Sequence, residues 1–349
     1  MSDSIQVEFT KCHGAGNAFI VVDETRSLQV SDPFKARFSR LVSERCAGGI
    51  GADGAIFVSI HDETHPRMQF FNPDGSEAEM SGNGLRCASR VAYESYYKGR
   101  SPLVFITRGG RFETYNFFSE EHRLSFVRIH AGHVATNPQH ILSNRSTTPF
   151  IGQKLEVDGT TLTGTVLSIG NPHLIVTVKK LKEIDLNRLG PALEHHPMFA
   201  NRANISFVEV LDRQTILVQT HERGAGPTLS CGTGMTASVV AQVLNGNVTN
   251  HADIQVHTAG GIAWVHPEVD GQHITARLTG NATHVYRART RIVLNEDTVT
   301  FSADGPMEIT ETFPIEAQAY ETLAKKSLFD VSMLNGTPLE SLVQARGSL

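Results

Sequence analysis

Cysteine is scarce: four in 349 residues. That is too few for a disulfide scaffold, and a chain this long needs none to bury a core. Long apolar runs are missing as well. The longest, such as Phe19–Val22 and Leu174–Val176, fall far short of a membrane span. Residues Met1–Gln6 have neither a basic stretch nor an apolar one of the kind a secretory signal carries, so the expectation is a cytoplasmic protein with reduced thiols. Excess positive charge is lacking too. Thirty-one Lys and Arg stand against 36 Asp and Glu, a net charge of -5, which argues against a nucleic-acid binder that neutralises phosphates. With 40% hydrophobic and 19% charged residues, long disordered tracts, collagen-like repeats and coiled coils are excluded.

What is present is a pair of domains. At roughly 150 residues per domain the length suggests two. Short runs that alternate with period two, such as Val7–Lys11, Met68–Phe71 and Ile205–Val210, read as strands punctuated by Gly, Asn, Pro and Asp. Helical patterns are few, at about 33–46, 84–97, 234–244 and 315–325. Many strands and few helices predict an α+β class. An internal repeat refines this. Ser81-Gly82-Asn83-Gly84 and Cys231-Gly232-Thr233-Gly234 share one pattern, offset by 150 residues. Gly16-Asn17 and Gly170-Asn171 repeat at nearly the same offset. A period near 150 means duplicated domains, not a solenoid. Residues 135–153 read as a connector, 297–302 as a strand in a tail, and 315–326 as an amphipathic helix.

Both Gly motifs lead into a helix, so Ser81 and Cys231 fall at helix N-termini. Free N–H groups and the positive end of the macrodipole gather there and favour an anion. A cysteine so placed is expected to have a lowered pKa and to act as a base or nucleophile; the plain alternative is an inert buried cysteine. Two such helices aimed at one carboxylate, with an acid/base group on each side of the adjacent carbon, would invert a stereocentre by two-base proton transfer. No cofactor motif is found. Glu222-Arg223 lies just before Cys231; an Arg fork takes a carboxylate and a Glu an ammonium, which together suit an amino-acid zwitterion. His61 and His65 lack the zinc-protease order, so no metal is expected. His195-His196 reads as an exposed loop pair.

These residues resemble the diaminopimelate epimerase family. Lys11–Asn17, Gly49–Gly54, Phe71–Glu77, Met80–Gly84, Gly170–His173, Arg202–Ile205, Glu222–Gly226 and Cys231–Gly234 appear in the family's order, within about residues 5–292. The resemblance implies two pseudo-symmetric domains, each a sheet wrapped around a central helix, with the active site in the cleft between them. It implies a cofactor-independent isomerase that interconverts LL- and meso-diaminopimelate for lysine and peptidoglycan synthesis, usually as a homodimer. By position, Asn17, Asn72, Asn171, Asn204, Glu222 and Arg223 would hold the substrate, and the turns Gly82-Asn83 and Gly232-Thr233 its carboxylate. The expected division is 1–128 with about 280–311, then 129–279, then an extension 312–349 of unassigned role.

One departure matters. The family pattern has a catalytic cysteine in each Gly motif, and here the first position is Ser81. A hydroxyl is far less acidic than a thiol. Four readings stand side by side: an engineered Cys→Ser change, native chemistry with Ser81, another amino-acid substrate (with a one-thiol lyase or dehydratase as a variant), or a non-catalytic binder. Cys12, Cys46 and Cys87 are read as packing cysteines. Pro227 stands where an acidic residue is usual.

Overall fold

A computed structural model describes residues 4–25, 29–44, 49–63, 65–137, 139–294, 299–301 and 307–329. Unit 1 is the described chain up to Ile129 together with Gly280–Thr322; unit 2 is His130–Thr279, resumed at Leu323.

Unit 1 begins with a hairpin of β1 (Ser4–Gly14) and β2 (Asn17–Asp23). Helix α1 (Asp32–Ser43) leads to β3 (Ala55–Ile60), which runs parallel to β2. Next come β4 (Pro66–Phe71), antiparallel to β3, and the short β5 (Glu77–Ala78). Helix α2 (Gly82–Ser95) follows. Then β6 (Leu103–Thr107) lies parallel to β4, and β7 (Gly110–Ser119) and β8 (Leu124–His133) complete a meander.

Unit 2 repeats this element for element. A flanking strand β9 (Gln153–Val157) pairs with β10 (Thr160–Ser168), which forms a hairpin with β11 (Pro172–Val178). Helix α3 (Leu186–Glu194) leads to β12 (Asn204–Asp212), parallel to β11. The series continues with β13 (Thr215–Glu222), β14 (Gly226–Thr228) and helix α4 (Gly232–Leu244). It ends with β15 (Ile254–Thr258), parallel to β13, then β16 (Gly261–Asp270) and β17 (His273–Asn281). The chain then returns to unit 1 as β18 (Thr283–Leu294), antiparallel to β1 as β9 is to β10. Strands β19 (Val299–Phe301) and β20 (Glu308–Thr312) flank β18, and α5 (Pro314–Lys325) follows.

The period-two alternation of the central strands explains the layers. Along β3, Ile56 and Val58 join the core around α2, while Ala55 and Phe57 join the core under α1. Along β12, Ile205 and Phe207 pack with Leu186, Leu189 and Leu193 of α3, while Val208 packs with Met235 and Val239 of α4. Both faces are covered, so apolar residues on both sides of these strands are buried. Each fully buried Ile or Phe contributes about 1.5–3 kcal/mol. In each unit one helix, α2 or α4, is nearly buried on all sides: Asn83–Ala92 in the first, and Gly234–Gln242 in the second. The class is α+β, each unit a sheet wrapped around a central helix.

Helix α3 adds to the four helices expected from sequence, with Gly190 and Pro191 inside it. Gly190 is required there: a Cβ would come within 2.6 Å of the His221 ring. The described residues of the expected connector 135–153 form no helix or strand before Gln153, and Ile141 and Leu142 are buried in the unit 2 core. Cys12 and Cys87 are fully buried in the core around α2, as expected of packing residues. Cys46 and the ends of the expected 297–302 strand lie outside the described residues.

Candidate active site

The two Gly motifs fold alike. Ser81 is the N-cap of α2, and its Oγ accepts from Gly84 N at 3.2 Å. Cys231 is the N-cap of α4, and its Sγ accepts from Gly234 N at 3.4 Å. The last glycine of each motif presses the helix start onto the sheet. A Cβ on Gly84 would meet Ile56 at 2.8 Å, and one on Gly234 would meet Thr220 and Ser206 at 3.0 and 3.1 Å. The first turns of both helices are therefore held against the sheet, and a helix start so placed favours an anion.

In unit 1, Asn17 lies at the start of β2. Its Nδ2 donates to Asp53 Oδ2 at 2.7 Å, and its Oδ1 accepts from Asn83 Nδ2 at 3.3 Å. Asn83 is fixed in turn by Arg86, whose Nη2 donates to Asn83 Oδ1 at 2.8 Å and whose Nε donates to Asn281 O at 3.0 Å. Arg86 is completely buried, which lowers its pKa to about 10. Asn72 stands apart from this chain of bonds. It closes the turn after β4, donating to Ser76 Oγ at 3.0 Å.

In unit 2, Asn171 donates to Thr233 Oγ1 at 3.5 Å and accepts from His173 Nε2 at 3.0 Å. That bond assigns the proton to Nε2. His173 Nδ1 is buried with no partner among the described residues. Burial, then the charge of Arg223, holds the His173 pKa down to about 3, so the ring is neutral. Asn204 is occupied at both ends: it donates to Pro172 O at 3.2 Å and accepts from Arg223 N at 2.9 Å. It ties together the two turns that carry Asn171 and Arg223. The Arg223 side chain borders an open cavity of about 470 Å³ that Arg202, His195 and His196 also line. Glu194 lines it too and pairs with Arg202 at 3.0 Å, which leaves Arg223 as the cation there able to take a carboxylate.

The expected depression of the Cys231 thiol is reversed. Burial is the largest effect and pushes its pKa well up, and the negative charge of Glu222 pushes it further. Thr233 and the Gly234 amide act in the expected direction but are outweighed. Burial also raises Glu222, against hydrogen bonds from Thr228 and Cys231 that lower it. Thr228 Oγ1 donates to Glu222 Oε1 at 2.6 Å. A buried carboxyl and a buried thiol in direct contact titrate as a pair. The sequence reading gave Glu222 a substrate ammonium and missed this contact with the thiol.

It also missed the supports. Asp53, Arg86 and His173 lie within or beside the quoted motifs but drew no role. Glu194, on the unexpected α3, bonds His221 Nε2 at 2.8 Å, Gly224 N at 2.9 Å and Arg202 Nη1 at 3.0 Å. It thereby anchors the Glu222–Gly226 turn. Among the described residues, no group of three or more His, Cys, Asp or Glu could hold a metal, and no helix is long and apolar enough to cross a membrane.

The fold is shared with solved structures. A PhzF-family phenazine biosynthesis protein of Bacillus anthracis superposes with a TM-score of 0.60 at 16% identity, over 82% of this chain and 99% of that one. A hydroxyproline epimerase of Agrobacterium vitis superposes at 0.57 with 13% identity, over 82% and 92%. Sequence is more specific. The family model for diaminopimelate epimerase matches residues 9–135 and 165–285. The diaminopimelate epimerase of Methanothermobacter thermautotrophicus is 38% identical over 279 residues, 80% of this chain and 96% of that protein. The enzyme of that name from Desulfitobacterium hafniense is 35% identical over 84% of this chain and its own full length. The chain belongs to the diaminopimelate epimerase family.

Proposed function

We propose that this chain is a cofactor-independent diaminopimelate epimerase, a cytoplasmic homodimer that interconverts the LL and meso forms for lysine and peptidoglycan synthesis. The observation that carries the reading is the matched pair of helix N-termini, α2 capped by Ser81 and α4 by Cys231, in a chain of this family.

Inversion at an α-carbon needs one group to remove the proton from one face and another to deliver a proton to the opposite face. Cys231 serves one face. It passes its proton to Glu222, takes the α-proton as thiolate and becomes a thiol again, and Glu222 releases its proton to solvent as the cycle closes. Ser81 serves the other face by donating its hydroxyl proton. The resulting alkoxide faces the Gly84 amide and recovers a proton from water. The amides of Gly82-Asn83 and Gly232-Thr233 bind the α-carboxylate, where the negative charge of the carbanion spreads. Arg223, at the edge of its open cavity, takes the distal carboxylate, and Asn17, Asn72, Asn171 and Asn204 frame the substrate.

Incubation with LL- or meso-diaminopimelate in deuterium oxide tests the reading. The expected result is deuterium at the α-carbon together with the other epimer, both lost in Cys231→Ala. No exchange with any diamino acid at high enzyme concentration overturns it. Ser81 favours one alternative, a one-thiol lyase or dehydratase, which would release a keto or imino product in the same assay.

A further inference from the structure

We propose that the last described helix serves the reaction: Glu316 of α5 is a positioning residue that fixes α2, and with it Ser81 and the first-turn amides, through Arg90. The inference rests on the proposed function for its kinetic readout. Helix α5 lies beyond the family match, which ends at residue 285. A relative covered over 96% of its length aligns over 279 residues, and α5 is an addition to the region that the family model matches.

The addition is fastened to the elements that carry the site. Glu316 grips Arg90 with both oxygens, Oε2 to Nη1 and Oε1 to Nη2, each at 2.6 Å. Its Oε2 also accepts from His284 N at 3.2 Å. Arg90 further donates to Ala282 O at 2.6 Å and to Glu94 Oε1 at 2.8 Å. Its side chain is 7% exposed. A two-oxygen fork of this kind fixes orientation as well as distance. Arg90 lies about 13 Å along the α2 rod from Ser81 at 1.5 Å per residue. One turn earlier on the same face, Arg86 holds Asn83. One turn beyond Glu316, the buried Tyr320 stands edge-on to His13 with ring centroids 4.3 Å apart. His13 Nδ1 accepts from Gly16 N at 3.4 Å, in the turn that presents Asn17 to Asn83. Helix α5 therefore braces α2 at Arg90 and braces the Asn17 turn at His13. A helix that merely shielded a sheet edge would need neither contact.

The test uses the full chain and Glu316→Gln, which keeps the side chain's size and removes its charge. Three quantities are read: kcat and KM for epimerisation, the melting temperature, and amide hydrogen exchange in residues 82–90 with residues 232–240 of α4 as control. The expected result is a fall in kcat of about tenfold or more with KM within about twofold. The melting temperature should drop by less than about 3 °C, and exchange should quicken at the start of α2 but not of α4. Arg90→Lys, which keeps the charge and loses the fork, should reproduce the loss, and the double variant should lose no more than either single one. Unchanged kcat with unchanged α2 exchange overturns the proposal. So does a loss of activity that only follows the folded fraction, with exchange faster in both helices. If Glu316→Gln does not fold, Arg90→Lys carries the same readouts. If the unaltered chain does not turn over diaminopimelate, the functional reading fails, and amide exchange alone decides whether α5 holds α2.

Discussion

Replacing Ser81 with cysteine should raise epimerisation by about 10²–10⁴-fold, the usual contribution of a well-matched general acid or base. The fold already shows that sulfur fits such a cap. Cys231 Sγ sits 3.4 Å from Gly234 N, against 3.2 Å for Ser81 Oγ and Gly84 N. The glycine that follows leaves the same room, 3.2 Å from its Cβ position to the Cβ of the cap in both motifs. A thiol caps a helix less well than a hydroxyl, which costs about 1 kcal/mol of stability. The gain in rate corresponds to about 2.7–5.4 kcal/mol of barrier at 1.36 kcal/mol per decade, so the catalytic effect should dominate. The assay is deuterium wash-in at the α-carbon, followed together with formation of the second epimer. In the unaltered chain Cys231 can remove and return a proton on its own face faster than Ser81 delivers one on the other. Exchange should therefore outrun inversion for the epimer whose α-hydrogen meets Cys231. Ser81→Cys should bring the two rates together. Equal rates of exchange and inversion in the unaltered chain, or no gain in a folded Ser81→Cys, refute the reasoning.

Glu222→Gln removes the negative charge that helps hold the Cys231 thiol protonated, so alkylation of Cys231 by iodoacetamide at pH 7–8 should quicken; coincident alkylation profiles refute it. His173 is held at about 3 when folded and titrates near ~6.5 when unfolded. A depressed folded pKa contributes stability above pH 6.5 that is lost as pH falls. At pH 5 the loss from this one residue is about 2 kcal/mol. Urea titrations at pH 7 and pH 5 should show a smaller drop for His173→Gln than for the unaltered chain, and equal drops refute the assignment.

Much of the fold is legible because local signals and packing agree. The starts of α2 and α4 carry a cap, glycines and an unbroken run of small or apolar residues, and both helices appear within two residues of the expected start. Helix α3 was illegible because its glycine and proline argue against a helix. Its Asp185 cap and the Leu186, Leu189 and Leu193 stripe prevail only once the stripe has a core to enter and His221 occupies the space over Gly190. Site residues were legible as types, not as partners. Sequence places Asn17, Asn83 and Glu222, but the bond from Asp53 to Asn17 spans 36 residues, and the contacts of Arg86 with Asn83 and of Cys231 with Glu222 depend on how each turn folds. The sign of the Cys231 shift failed for a related reason. A helix terminus is a local feature visible in sequence, whereas burial and the Glu222 charge come from the folded surroundings.

That reversal changes what the serine means. On sequence the two caps looked unequal, an activated thiol opposite an inert hydroxyl. In the folded chain the thiol is also pushed up, so both groups are weak acids that become strong bases once ionised. A strong base suits removal of an α-proton, and the cost lies in how seldom the group is ionised. Cys231 has a neighbour that lowers this cost, since Glu222 can accept its proton within hydrogen-bond reach. Among the described residues Ser81 bonds the Gly84 amide, a donor that can steady an alkoxide but cannot take a proton. Sulfur against oxygen is thus not the whole difference between the caps: Cys231 is in contact with a proton acceptor, and the described partner of the Ser81 hydroxyl is a donor. It follows that Glu222→Gln should slow removal of the α-proton on the Cys231 face even as it makes the resting thiol more reactive to alkylation. An increase in both rates would show that Glu222 restrains Cys231 and does not serve it.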